Sequence, residues 1–210
     1  MHIGIIGTGS MGSALGQRWA DANHQVFYGS RDPGHARNMV EMMGPNVQGG
    51  SIANAADFGE VILLAVPWSG VDDVLEEAGD LEGGVVIDCT NPFREDTFDL
   101  AIGTTKSAAE YINHKAKNAQ VVKAFNTVFA DNIARVGDFG DNKAPMFYCS
   151  DDDSAKSIAV QLGKDIGFRP VDCGRLKNAR HLEAMAALSV NMGFELDMGT
   201  DWTWDIVRRS

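Results

Sequence analysis

The chain has 210 residues, 44% of them hydrophobic, and a formal net charge of −11. That length supports one large core, or one domain with a small appendage. The charge argues against nucleic acid or an anionic membrane surface as partner.

The first apolar run, 2–6, reads as a buried parallel strand. Gly7-Thr8-Gly9-Ser10-Met11-Gly12 follows, and a helical pattern over 11–22 begins at once. A second strand, 25–28, ends in Gly29-Ser30-Arg31. Strand, G-x-G-x-x-G, helix and second strand in that order form the dinucleotide-binding fingerprint. Gly7 allows the tight turn, Gly9 lets the backbone approach a pyrophosphate, and Gly12 lets helix and strand pack closely. The helix N-terminus supplies free N–H groups and a positive dipole end. An NAD site usually carries Asp or Glu at the second strand tip, to bind the ribose 2′-hydroxyl. Here a serine and a guanidinium stand there, which suits a 2′-phosphate, so the expected cofactor is NADP(H). Asp32 is expected to cap the helix starting at Pro33. His35, one turn into that helix, is a candidate addition to the phosphate pocket.

Further strands are expected at 47–48, 61–65, 85–88, 120–124, 145–149 and 168–172. Helices are expected at 33–43, 51–57, 71–78, 106–114, 130–135, 153–166 and 176–192. This alternation predicts a Rossmann-type, doubly wound, mostly parallel α/β sheet with helices on both faces and a C-terminal helical extension. One domain spanning 1–210 is expected, with a dinucleotide-binding core over 1–135 and C-terminal strands, helix and tail over 145–210. A polar Gly/Asp/Asn loop over 136–144 marks the passage between them. The N-terminus is itself a strand, so no signal peptide is read, and no apolar run approaches membrane-spanning length. A cytoplasmic location is expected. Cys89, Cys149 and Cys173 lie in or at the ends of apolar runs and read as buried free thiols in a reducing compartment.

Ligands in such sheets bind beyond the carboxyl ends of the strands, which singles out three strand-end segments. Val66-Pro67-Trp68 follows the fourth strand, and Trp68 is expected over the cofactor or as a wall of its cleft; packing against a helix is the other reading. Asp88-Cys89-Thr90-Asn91 ends the fifth strand. Cys89 reads as an inert thiol, because no base is close in sequence. Lys123-Ala124-Phe125-Asn126-Thr127 ends the sixth, with Lys123 either a catalytic acid, a Schiff-base lysine or a strand-edge cap. Asn126 is a candidate to orient the nicotinamide carboxamide. Ionisable groups are scarce at all three ends. Alcohol or imine reduction needs a proton donor beside the hydride path, whereas transfer between two planar rings needs mainly alignment. Asp151-Asp152-Asp153 reads as helix capping rather than a metal site, and no metal ligand set is expected.

The glycine loop, Gly29-Ser30-Arg31, Val66-Pro67-Trp68, Ser107-Ala108-Ala109-Glu110, Lys123-Ala124-Phe125-Asn126-Thr127 and Gly167-Phe168-Arg169-Pro170-Val171-Asp172-Cys173-Gly174 occur in order. Together they resemble the NADP oxidoreductases that use coenzyme F420, a 5-deazaflavin. They are also similar to the cytosolic reductase domain of the six-transmembrane epithelial metalloreductases, which moves electrons from NADPH through flavin. At Asn126 and Phe129 the chain is closer to the metalloreductase branch. The resemblance implies NADP held by Thr8, Gly9, Ser10, Met11, Ser30, Arg31 and Trp68. Residues of 124–130, including Ala124 and Ala130, would floor the hydride-transfer cleft, and the C-terminal helix would close it. F420, or FMN or FAD, is the implied second redox partner, and a homodimer the implied assembly. Trp68, Asn126 and Thr127 are the positional candidates for catalysis. The rival expectations are a small imine or carbonyl reductase of similar fold, with Lys123 as donor, and a non-catalytic NADPH-sensing binding protein. Trp202 and Trp204, two apart in the tail, are expected in a half-buried extended segment or a dimer contact.

Overall fold

A computed structural model describes residues 1–116, 118–139 and 143–209. Eight strands are built from the apolar runs: β1 (His2–Ile6), β2 (Gln25–Gly29), β3 (Val47–Gly50), β4 (Val61–Leu64), β5 (Val85–Asp88), β6 (Gln120–Ala124), β7 (Pro145–Ser150) and β8 (Arg169–Asp172). They form one sheet in the order β3-β2-β1-β4-β5-β6-β7-β8. All neighbours pair parallel except β7, which runs antiparallel to β6. The first six strands therefore have the 3-2-1-4-5-6 order of a dinucleotide-binding sheet, with its switch point between β1 and β4.

The strands bury both faces, and the period-2 alternation of their side chains supplies two cores. Ile3, Ile5, Val61, Leu63, Val85 and Ile87 belong to one. It is covered by α1 (Ser10–Asp21), through Leu15 and Trp19, and by α7 (Asp153–Asp165), through Ala159 and Leu162. Ile6, Ile62, Leu64 and Val86 belong to the other. There α3 (Ile52–Phe58), α4 (Val71–Ala78), α5 (Ala108–Lys115) and α8 (Ala179–Val190) contribute Ile52, Val74, Ile112 and Leu182. Two short helices, α2 (Pro33–Val40) and α6 (Ala130–Ile133), complete the set, and α8 continues into a π-helical turn over Asn191–Glu195.

The helix starts follow the expected capping chemistry. Asp32 Oδ1 accepts from the Gly34 and His35 amides at 2.9 and 3.1 Å. Asp152 Oδ1 accepts from the Ala155 amide at 2.8 Å, and Asp151 pairs with Arg175 at 2.8 Å, so the triple-Asp run is spent on structure. Among the described residues no group of His, Cys, Asp and Glu is arranged to hold a metal, and no helix is long and apolar enough to cross a membrane. Within the expected loop over 136–144, Val136–Asp138 forms a single 3₁₀ turn with Val136 buried; residues 140–142 lie outside the described residues.

Candidate active site

The site begins where the glycines force it. Gly7 has φ of +119°, open only to glycine at little cost. A Cβ on Gly12 would stand 2.3 Å from the Gly7 carbonyl oxygen, so α1 can approach β1 only without one. Gly9 differs: a Cβ there would meet nothing within 4 Å. Its missing side chain therefore serves the empty space beside it, which is the shape a pyrophosphate needs at a helix N-terminus.

That space is one end of a long trough across the carboxyl ends of β2, β1, β4, β5 and β6. Its first section is lined by Gly7, Thr8, Gly9, Gly29, Ser30, Arg31, Ile52, Ala65, Val66, Pro67 and Val74. A middle section shares Gly9, Ala65, Val66 and Pro67 with it and adds Ser10, Met11, Cys89, Thr90, Asn91 and Phe93. The far section shares Ser10, Met11, Cys89 and Asn91 with the middle and adds Asn126, Thr127, Val128, Phe129, Ala130, Ala186, Ser189 and Val190. The shared linings make the trough continuous from Arg31 to α8. Among the described residues Arg31 has no carboxylate within ion-pair distance, so its charge is available. A glycine cradle followed by a serine and an unpaired guanidinium at the rim fits a phosphorylated dinucleotide.

At the far section the backbone itself is bent to purpose. Phe125, fully buried between Trp19 and Phe168, takes φ of +64°, a conformation costly for an aromatic residue. The bend follows β6 directly and sets Asn126 into the trough wall. Asn126 Nδ2 donates to Asn91 Oδ1 and to the Leu182 carbonyl, each at 3.0 Å, and Asn91 Nδ2 donates back to the Asn126 carbonyl at 3.1 Å. The two asparagines thus tie the ends of β5 and β6 to α8. Asn126 Oδ1 is buried and lacks a partner, an acceptor in reserve.

Beneath this floor lies a buried ionic network. Lys123 Nζ donates to Asp88 Oδ2 at 2.9 Å and to the Thr90 carbonyl at 2.6 Å, and pairs with Glu183 Oε1 at 2.9 Å. Glu183 in turn accepts from the Ala108 and Ala109 amides at 3.0 and 3.2 Å, capping α5 from α8. Asp88 Oδ1 holds the Thr90 amide and hydroxyl at 2.8 and 2.7 Å. Burial alone would push the Lys123 ammonium down, but the two carboxylates hold it above its ordinary value. Burial pushes the Glu183 carboxyl up, against the pull of Lys123 and the Ala108 amide. Lys123 is fully buried on a strand inside the sheet, so it is neither an edge cap nor a donor facing the cleft. Among the described residues the far section's only titratable lining group is Cys89, whose thiol burial pushes up to about 12.

The structure gathers Gly7, Thr8, Gly9, Ser10, Met11, Ser30, Arg31, Val66, Pro67, Asn91, Asn126, Thr127 and Ala130 along the trough. Four expected site residues lie elsewhere, of which Gly12 is buried where α1 meets β1 and shapes the loop without lining the trough. Ala124 is fully buried in the core, because the pleat turns its methyl away from the strand end. His35 has an exposed side chain outside the trough linings, since its amide is used in the Asp32 cap and the helix turns the ring outward. Trp68 packs edge-on against Tyr111 of α5, 5.3 Å between ring centres, and lines a neighbouring cavity instead. The 3₁₀ turn Trp68–Gly70 after Pro67 carries the indole away from the trough. Asp88 and Glu183 were not legible as site support, since nothing in sequence joins positions 88, 123 and 183.

The family model described as NADP oxidoreductase, coenzyme F420-dependent, matches residues 2–92. The F420-dependent NADP reductase of Methanothermobacter thermautotrophicus is 30% identical over 215 residues, covering 91% of this chain and 89% of that protein. This chain belongs to the F420-dependent NADP reductase family. A solved protein of Arthrobacter sp. FB24, itself provisionally assigned as an F420-dependent NADP-reductase, superposes with a TM-score of 0.90 at 25% identity, over 99% of this chain and 100% of that one. Metalloreductase STEAP3 of Rattus norvegicus is 28% identical over 183 residues, 87% of this chain; the chain spans about a third (36%) of that relative's length. As a member of the reductase family, the protein is an NADP-dependent oxidoreductase.

Proposed function

We propose that the trough brings NADP(H) and the ring of coenzyme F420 face to face and passes a hydride between them. The 2′-phosphate lies against Ser30 and Arg31, the pyrophosphate over Gly9 at the start of α1, and the nicotinamide in the middle section between Met11 and Asn91. Asn126, in the trough wall, orients the nicotinamide carboxamide. The deazaflavin ring occupies the far section, floored by Thr127 and Ala130 and closed by Ala186 and Ser189 of α8. Gly7 and Gly12 act by shaping the turn, and Val66 and Pro67 by walling the cofactor.

One observation carries this reading: the far section offers no acid or base poised for use. Its linings are amides, hydroxyls, apolar groups and one thiol that stays protonated, while Lys123 beneath is consumed by two carboxylates. Hydride transfer between two planar rings moves two electrons and one hydrogen from nicotinamide C4 to the acceptor ring, whose second proton comes from water. The protein's part is to align the rings and exclude solvent. An imine or carbonyl reductase needs a positioned donor, and the burial of Lys123 removes the one that the sequence offered.

An anaerobic assay with NADPH and F420 tests this. Reduction of F420 by NADPH, with FMN and FAD much slower, is expected. No F420 turnover in either direction, with NADPH bound, would sink the proposal and favour the binding-protein reading.

A further inference from the structure

A second cavity, of about 530 Å³, lies on the other side of the segment that carries Pro67. That size is in the range of small-molecule sites. Its walls are Trp68 and Tyr111, set at 72° to one another, with Ile102 beside them. The Tyr111 ring is fixed in place: its hydroxyl donates to both Asp72 carboxylate oxygens at 2.8 and 2.9 Å, and Lys115 lies 5.3 Å over its ring. The near-perpendicular pair presents an aromatic corner against which a flat ring can lie.

The polar lining has one sign to spare. Among the described residues Glu110 is the one carboxylate lining the cavity, beside His114, and Arg180 engages it in a bidentate pair through Nε and Nη2. The Arg180 Nη1 donors and the Lys106 ammonium have no partner among the described residues. Two cationic groups with unspent donors stand beside two orthogonal aromatic faces.

We propose that this cavity is a second small-molecule site, taking a flat aromatic ligand that bears a single anionic group. The ring lies against Trp68 and Tyr111, and the anion meets Lys106 and the free edge of Arg180. The proposal is independent of which ring accepts the hydride.

The test is calorimetric titration of 2-naphthoate into protein saturated with NADP⁺. Saturable one-to-one binding is expected. Its uncharged analogue 2-naphthamide should bind about tenfold more weakly, and so should 2-naphthoate to Lys106→Gln, each having lost one charge-assisted contact. Lys106 is exposed, so that variant keeps its fold, which circular dichroism checks. Binding to the nucleotide-free protein that is lost on saturation with NADP⁺ would place the probe in the trough and overturn the proposal. Failure to saturate, or equal binding of naphthoate and naphthamide, would overturn it too.

Discussion

Arg31 stands two residues past the end of β2 with its guanidinium exposed at the rim of the trough and unpaired among the described residues. Its removal takes away a charge-assisted contact that only a 2′-phosphate can use. Arg31→Ala should therefore weaken NADPH binding by about 10- to 100-fold while NADH changes by less than about threefold. Fluorescence titration with both nucleotides checks this, and equal losses would contradict the 2′-phosphate role. The cysteines make a different kind of statement. Burial pushes the Cys89 and Cys149 thiols from 9.0 up to about 12. In the unfolded chain they ionise near the lower value, so between the two the folded state holds more protons. Stability is fully present below pH 9.0 and is lost as pH rises toward about 12. Urea midpoints measured from pH 8 upward should fall through that window, and Cys89→Ala with Cys149→Ala should flatten the fall. These residues were legible to different degrees. The place of Arg31 at the rim is legible because its position relative to β2 is a matter of counting. Trp68 was misplaced, because a one-turn helix after Pro67 decides where the ring points.

The elements that make the acceptor end are joined from below rather than from within. Lys123 of β6 binds Asp88 of β5 and Glu183 of α8, and Glu183 caps α5. Four elements thus share one charge cluster, which carries the loops bearing Asn91 and Asn126. Removing the ammonium leaves two buried carboxylates facing each other, a change worth about 3–5 kcal/mol. Lys123→Met should cost about that much by urea denaturation at pH 8, and the deficit should shrink toward pH 5 as protonation of the carboxyls relieves the repulsion. A deficit independent of pH would mean that the network holds α8 by packing alone. The strands and helices on which this rests were readable from period-2 and period-3.6 patterns. The network was not, because its three ionisable partners are scattered along the chain and only the sheet order brings them together. The tail follows the same logic. Trp204 Nε1 donates to Ser189 Oγ at 2.8 Å, and Asn132 Nδ2 holds the Thr200 and Trp202 carbonyls at 2.7 and 2.9 Å. The two tryptophans therefore fold back onto α8 and α6 of their own chain, a half-buried extended segment.

The whole molecule is acidic, at −11, yet its cofactor is a polyanion. Long-range repulsion opposes the approach that Arg31 and the α1 N-terminus reward at contact, and Asp73 and Glu95 line a neighbouring recess with Arg31. Screening reaches the distant charges first. The NADPH association rate should accordingly rise with added salt from low ionic strength to about 0.15 M, by stopped-flow fluorescence; a fall would mean that the local positive field governs encounter. The sequence by itself determined the fold class, the glycine cradle, the Ser30–Arg31 rim and the scarcity of acids at the strand ends. All of these follow from local patterns, in which neighbours in sequence are neighbours in space. Only the tertiary structure decided that Lys123 is neutralised beneath the floor, that Trp68 faces another cavity, that Asn126 is held between Asn91 and Leu182, and that α8 closes the trough. Each of those depends on residues far apart in the chain meeting across a sheet whose strand order, 3-2-1-4-5-6-7-8, is not the order in which they are written.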